Sequence, residues 1–282
     1  MPFEELGLST PTLKAVDDAG YSEPTPIQRR AIPYVLQGRD VLGCAQTGTG
    51  KTASFTLPMI DILSQGRARA RMPRSLILEP TRELAAQVAE NFEVYGKHHK
   101  LNMALLIGGV SFVDQSRIID RGADVLIATP GRLLDHFERG GLLLRGVDVL
   151  VIDEADRMLD MGFIQDMRKI SEACSRSDRQ TVFFSATWPL EVNRIARSLV
   201  RKERQEKICT VTVASKTADG SGDKRQFNPD ISQEVICIKD NSVKWDLLIK
   251  QLSKHDGQKT LVFGLYKNEV ARLEDWLQRG GY

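Results

Sequence analysis

The chain is predicted to be an α/β protein, a doubly wound parallel sheet with helices on both faces, on three observations. Short apolar runs recur at 41–42, 75–78, 103–107, 125–128, 147–152 and 181–184. Segments with helical spacing, 82–98, 113–121, 131–139 and 163–174, separate them, and this alternation is the signature of βαβ units around a parallel sheet. A loop of small residues, Ala45 to Thr52, lies between the first run and a helix predicted from Thr52 to about Leu63. Turns of that kind, at the carboxyl ends of open parallel sheets, are where ligands bind.

Taken in order, an amphipathic segment over 6–19 precedes the first strand. The strands that follow are continuously apolar, as strands buried on both faces must be. A helix at 190–200 and a last strand at 208–213 complete this domain. Residues 215–229 are rich in Gly, Ser, Asp and Lys, lack apolar periodicity and close on Pro229, the marks of a solvated linker. Beyond it the pattern predicts a strand at 231–238, a helix at 243–253, a strand at 260–265 and a helix at 268–277. That βαβα stretch is shorter than the roughly 100 to 150 residues of a typical domain, so it either packs on the first domain or begins a second one left incomplete.

Composition narrows the class without naming a function. The chain has 282 residues, 41% hydrophobic and 27% charged, the make-up of an ordinary soluble globular protein. A net charge of +2 neither demands nor excludes a nucleic-acid partner, which must be argued from local motifs. No apolar run approaches the roughly 20 residues of a membrane span, and Met1-Pro2-Phe3-Glu4-Glu5 does not resemble a signal peptide. A cytoplasmic protein is expected, or a nuclear one in a eukaryote, monomeric and without membrane association. Cys44, Cys174, Cys209 and Cys237 have no paired spacing, against zinc ligation and a disulfide framework. The cluster Arg67, Arg69, Arg71 and Arg74 has no interleaved aromatics and reads as a solvated loop.

Two motifs carry the chemistry. In Ala45-Gln46-Thr47-Gly48-Thr49-Gly50-Lys51-Thr52, the amides of a glycine-rich turn and the start of the next helix suit an anion. Lys51 would reach the β- and γ-phosphates of a nucleotide and the Thr52 hydroxyl would ligate Mg²⁺. The general pattern starts with Gly where this chain has Ala45, and by itself the loop also fits a plain strand-to-helix turn. Asp153-Glu154-Ala155-Asp156 follows the buried run 147–152, so its carboxylates emerge at a strand's carboxyl end. Asp153 could meet the metal held by Thr52, and Glu154 could orient or deprotonate an attacking water. Alone, these acids equally suit the first turn of a helix.

The motifs in their order resemble the DEAD-box family of ATP-dependent RNA helicases over nearly the whole chain, initial Ala45 included. Phe3 and the stretch 20–28, Gly-Tyr-Ser-Glu-Pro-Thr-Pro-Ile-Gln, resemble the family's adenine-reading Q motif. The resemblance implies that Gln28 bonds the adenine edge and Tyr21 stacks on its ring; an amide both donates and accepts, which suits adenine. Pro80-Thr81-Arg82, Gly108-Gly109 and Thr129-Pro130-Gly131-Arg132 resemble the segments that hold the RNA backbone, and phosphate contacts of this kind are sequence-tolerant. Ser185-Ala186-Thr187 resembles the element that couples the carboxylates to unwinding, its hydroxyls placed to bond Asp156. The implied substrate is ATP with Mg²⁺, the implied partner single-stranded or duplex RNA, and the implied fold a RecA-like domain.

On that reading residues 1–29 are the Q-motif region, 30–213 the ATP-binding RecA-like domain, 214–230 a linker, and 231–282 the opening part of a second RecA-like domain. Residues 261–267 resemble the first motif of that second domain, whereas the family's later arginine-bearing motifs do not occur in the sequence. A transition-state arginine is worth about 10³ to 10⁵ in rate, so slow ATP turnover is expected of this chain by itself. A non-catalytic RNA- or protein-binding module is the alternative, and a DNA-directed relative is disfavoured by the 21–28 element. Residues 78–109 resemble bacterial members, whereas 185–189 and 235–265 resemble eukaryotic ones, which leaves the cell type open.

Overall fold

The computed structural model describes residues 2–213, 232, 234–238, 240 and 243–280. The chain divides into two compact units, Met1–Ala218 and Asp219–Tyr282.

The first unit is a seven-stranded sheet with every pairing parallel, in the order β3-β4-β2-β5-β6-β1-β7. Its strands are β1 (Val41–Cys44), β2 (Ser75–Leu78), β3 (Met103–Leu106), β4 (Val125–Ala128), β5 (Val149–Ile152), β6 (Gln180–Ser185) and β7 (Cys209–Thr212). The helices are α1 (Thr10–Asp18), α2 (Pro26–Leu36), α3 (Lys51–Ser64), α4 (Arg82–Gly96), α5 (Phe112–Arg121), α6 (Pro130–Glu138), α7 (Ala155–Asp160), α8 (Ile164–Ala173) and α9 (Leu190–Leu199). Among the described residues no helix is long and apolar enough to cross a membrane.

Side-chain alternation splits the apolar strands between two cores, because successive residues of a strand face opposite sides. Val41, Ile77, Val125, Ile127, Val149, Val151, Val182 and Phe184 pack with α1 to α4. Leu42, Leu76, Leu78, Leu126, Leu150, Ile152 and Phe183 pack with helices α5 to α9. The same alternation continues past each strand end. Glu79 after β2 and Asp153 after β5 therefore belong to the α3 face, with Ile77 and Val151. Gly43 makes room on that face: a Cβ there would stand 2.4 Å from the Phe184 ring, which instead lies 5.6 Å from the Phe55 ring.

The loop before β2 is more structured than its arginines suggested. Arg67, Arg69 and Arg71 are exposed, but Arg74 donates to the carbonyls of Leu63 at 2.7 Å and Gln65 at 2.9 Å and lies 3.8 Å from Asp124. It ties the end of α3 to the start of the strands. At the same amino-terminal ends of the strands Arg179, fully buried, donates to the carbonyls of Ser171, Cys174 and Leu199 at 2.6 to 2.8 Å. A guanidinium has five donors, and these carbonyls at the ends of α8 and α9 together with the Thr181 and Ser171 hydroxyls, at 3.3 and 3.1 Å, satisfy them.

In the second unit the predicted helices form as α10 (Lys244–Lys254) and α11 (Lys267–Arg279), with the Trp245 and Trp276 rings 5.4 Å apart. Among the described residues neither 260–265 nor 234–238 is in a strand, the rest of the strand predicted at 231–238 lying partly outside them, and Leu261 and Phe263 are 84% and 90% exposed. An extended segment is a strand only when a neighbour takes up its amides and carbonyls. The expected linker, 214–230, lies outside the described residues.

Candidate active site

The phosphate-type loop runs from the end of β1 into α3, and its shape depends on Gly50. That residue has φ of +85°, which favours glycine, and a Cβ there would lie 2.4 Å from the Gln28 amide nitrogen. Gln28 is held on both sides: its oxygen accepts from the Thr25 N–H at 2.9 Å, closing a capping box on α2, and its amide donates to the Gly50 carbonyl at 3.2 Å. One side chain thus links the Q-motif helix to the loop.

Around that loop is a cavity of about 390 Å³. Of the residues expected to bind nucleotide, Tyr21, Gln28, Thr47, Gly48, Gly50, Lys51 and Thr52 line it, together with Asp153 and Glu154. Ala45, Gln46 and Thr49 do not. Ala45 is buried in the core and its N–H donates to the Ser185 carbonyl; the Thr49 hydroxyl donates to the Gln46 carbonyl at 2.6 Å, so these residues shape the loop from behind. Tyr21 is half exposed, its ring 6.3 Å from that of Tyr95. Phe3 lies at the cavity's rim.

The carboxylates meet the loop because β5 ends beside it. Lys51 Nζ lies 2.9 Å from Glu154 Oε1, both side chains buried. Glu154 has φ of +49°, a left-handed backbone that is uncommon outside glycine and concentrates at functional sites. Its N–H donates to Asp153 Oδ1 at 2.8 Å. Burial pushes the Asp153 carboxyl up to about 7, Lys51 opposing and the Glu154 charge adding to the rise. A cation in the cavity would reverse that balance, since a bound ion is the largest local charge.

Asp156 points away from this cavity toward β6. Its Oδ2 accepts from the Thr187 hydroxyl at 2.6 Å and from the Thr187 N–H at 2.9 Å, and its own N–H donates to Ser185 Oγ at 3.3 Å. Burial raises its carboxyl, but these hydrogen bonds outweigh that and hold it below the ordinary value. Asp156, Ser185 and Thr187 are therefore one bonded unit.

A second, open groove of about 470 Å³ lies nearby in sequence terms, lined by Pro80, Thr81, Arg82, Gly108, Thr129, Gly131 and Arg132. Three strand ends bring them together: β2, β3 and β4 are adjacent in the sheet. Arg82 and Arg132 lean onto the carbonyls of Gly108 and Val110 at 3.4 and 3.3 Å. Pro130 is buried and outside the groove's lining, and Gly109, exposed, lies beside the Arg82 guanidinium, where a Cβ would stand 2.7 Å from it. The array of guanidiniums, a hydroxyl and helix-start amides has the chemistry of a phosphate-backbone contact.

Among the side chains with polar groups that line the cavity, Glu79, Gln87, Asn91 and Tyr95 were not picked out from the sequence. The last three fall at i, i+4, i+8 of α4, a spacing visible in the sequence once the helix's cavity-facing side is known. Glu79 had no such signal, because its position follows from the pairing of β2 with β5.

The fold and site define a nucleotide-binding α/β domain of the helicase type, and comparison with known proteins gives the family. The sequence profile described as "DEAD/DEAH box helicase" matches residues 25–195, and the chain belongs to that family. It is 41% identical over 281 residues to the ATP-dependent RNA helicase DeaD of Escherichia coli K12, covering 99% of this chain and 42% of that protein. The DeaD of Buchnera aphidicola is 38% identical, with 44% of its length covered. The chain thus spans less than half the length of these relatives. Among solved structures, a DEAD box protein from Methanococcus jannaschii aligns with a TM-score of 0.68 at 32% identity, over 100% of this chain and 71% of that one. A hypothetical ATP-dependent RNA helicase from Sulfolobus tokodaii aligns at 0.64 and 32%, over 73% and 57%. The seven-stranded parallel sheet is accordingly RecA-like.

Proposed function

We propose that this chain carries the ATP-binding part of an ATP-dependent RNA helicase, residues 30–213 forming the catalytic domain, 1–29 the adenine-reading region and 231–282 the start of a second domain. The observation that carries the reading is the 2.9 Å pair of Lys51 and Glu154 within one buried cavity that also holds Thr52 and Asp153.

The residues assign themselves roles by their positions. Gln28 and Tyr21 receive the adenine, and the amides of 47–51 receive the phosphates. Lys51 exchanges the Glu154 carboxylate for phosphate oxygens, which frees Glu154 to orient the attacking water. Hard oxygen donors, the Thr52 hydroxyl and the Asp153 carboxylate, suit Mg²⁺. Bound there, Mg²⁺ would neutralise charge developing on the transferred phosphoryl group. Asp156, bonded to Thr187, links the carboxylate strand to the segment after β6, and the groove of Arg82 and Arg132 takes RNA phosphates without reading bases.

Equilibrium binding of a fluorescent ATP analogue and steady-state ATPase with and without single-stranded RNA test this. Lys51→Ala is expected to weaken nucleotide binding at least about thirtyfold, the lower end of about 2 to 5 kcal/mol for truncating one partner of a buried charged contact. Unchanged binding would sink the nucleotide site. Binding of nucleotide and RNA with no RNA-stimulated turnover would favour a binding module over an enzyme.

A further inference from the structure

Of the acids lining the cavity, Glu23 is exposed and paired with Arg29, Asp153 and Glu154 have roles in the reading above, and Glu79 is buried with none. It follows β2, and Leu78 of β2 is in register with Ile152 of β5. Glu79 and Asp153 are therefore neighbours across adjacent parallel strands, whose spacing is about 4.8 Å, and they share the α3 face. The Asp153 N–H donates to the Leu78 carbonyl at 3.2 Å and the Glu79 N–H to the Ala128 carbonyl at 3.0 Å, so the backbone at both positions is held.

The Glu79 side chain is 1% exposed and lines the cavity with Lys51, Thr52 and Asp153. Its Oε1 has no hydrogen-bond partner, and no ion pair forms with it among the described residues. A buried carboxyl without partners costs several kcal/mol relative to a paired one. It does no visible work for the fold: it caps no helix and bridges no strands. Pro80, the next residue, already lines the other groove, so Glu79 is the residue directly after β2 that faces this cavity.

We propose that Glu79 is a positioning residue of the divalent-cation site, accepting hydrogen bonds from water molecules of the cation that Thr52 and Asp153 hold. The inference rests on the assignment of this cavity to ATP with Mg²⁺. Contact through water follows from two facts. Among the described residues no three acidic, histidine or cysteine side chains converge closely enough to hold an ion directly, and Mg²⁺ dehydrates reluctantly and keeps several waters. Outer-sphere partners of this kind are worth about 10- to 100-fold in metal affinity.

The test is a titration of Mg²⁺ against binding of fluorescent N-methylanthraniloyl-ADP, with the full chain and its Glu79→Gln variant, beginning in EDTA. In EDTA the variant is expected to bind the nucleotide as well as the parent, since Glu79 has no cation water to hold there and burial, with the charges of Asp153 and Glu154, already pushes its carboxyl up toward the neutral form. With Mg²⁺, the concentration giving half of the gain in affinity is expected to rise about tenfold or more, while the melting temperature holds or rises because no hydrogen bond is lost. Glu79→Ala, if the glutamine variant folds poorly, is expected to shift the midpoint in the same direction. A Mg²⁺ midpoint equal to the parent's overturns the proposal, and so does equal weakening with and without Mg²⁺, which would mark a structural role. A parent that binds no nucleotide under either condition sinks the ATP site itself and the proposal with it; a parent that binds with a normal Mg²⁺ gain beside an unshifted variant sinks the proposal alone.

Discussion

Residues 75–78 and 260–265 are two apolar runs of similar composition with opposite fates. Ser75, Leu76, Ile77 and Leu78 are all fully buried in β2, paired on one side with β4 and on the other with β5. Leu261, Phe263 and Leu265 in the second unit are 84 to 90% exposed and, among the described residues, in no ladder. The helices of the second unit form regardless, because their backbone bonds are internal. The contrast teaches that β-type sequence reports a capacity for pairing, and that burial comes from neighbours distant in the chain.

The contrast is broken or sharpened by substitution. The largest effect is expected at the sheet: Phe184→Ala removes a fully buried ring packed on Phe55 and should cost about 3 to 5 kcal/mol, whereas Phe263→Ala should stay within about 0.5 kcal/mol. Shifts of the denaturation midpoint measure both, and equal shifts would end the distinction. Next is Arg179→Met, which leaves the carbonyls of Ser171, Cys174 and Leu199 short of donors. At about 1 to 3 kcal/mol for such a group, a loss of about 3 kcal/mol is expected, and a neutral outcome would mean that water replaces the guanidinium.

The smallest expected effect is a pH dependence. His136 is buried, its ring stacked 3.9 Å from Phe112 and its Nε2 3.0 Å from Gln115 Oε1. Burial pushes its imidazole below the ordinary value, with Arg132 and Arg139 adding and Asp135 opposing. The unfolded chain then takes up a proton near pH 6.5 that the folded chain accepts only at lower pH. Stability from this group is full above about pH 6.5 and falls as pH drops from there toward the folded value. His99, also pushed down by burial with Asp61 opposing, acts in the same window. His136→Gln should therefore flatten part of the acid limb in melts taken across that window, and an unchanged slope would count against the imidazole.

Much of the site was legible because its parts are local. Gly50, Lys51 and Thr52 sit in one loop, and a carboxylate pair directly after a buried strand must emerge at that strand's end. The grouping of Arg82, Gly108 and Arg132 was readable only as three separate turns. Their common groove follows from β2, β3 and β4 being neighbours. Arg74 could not be told from the exposed arginines beside it, since its carbonyl partners lie at the end of α3. Gln28 was read for adenine, but its bond to the Gly50 carbonyl required the fold.

By itself the sequence determined the alternation of strands and helices in the first unit, the glycine-rich turn between β1 and α3 and the acids at the end of β5, because periodicity, glycine conformation and strand polarity act within a few residues. Strand order, and with it the placement of Glu79 beside Asp153, the pairing of Lys51 with Glu154 and the fate of 260–265, was decided only by tertiary structure. The reason is that a strand's hydrogen-bonding partners, unlike a helix's, come from elsewhere in the chain.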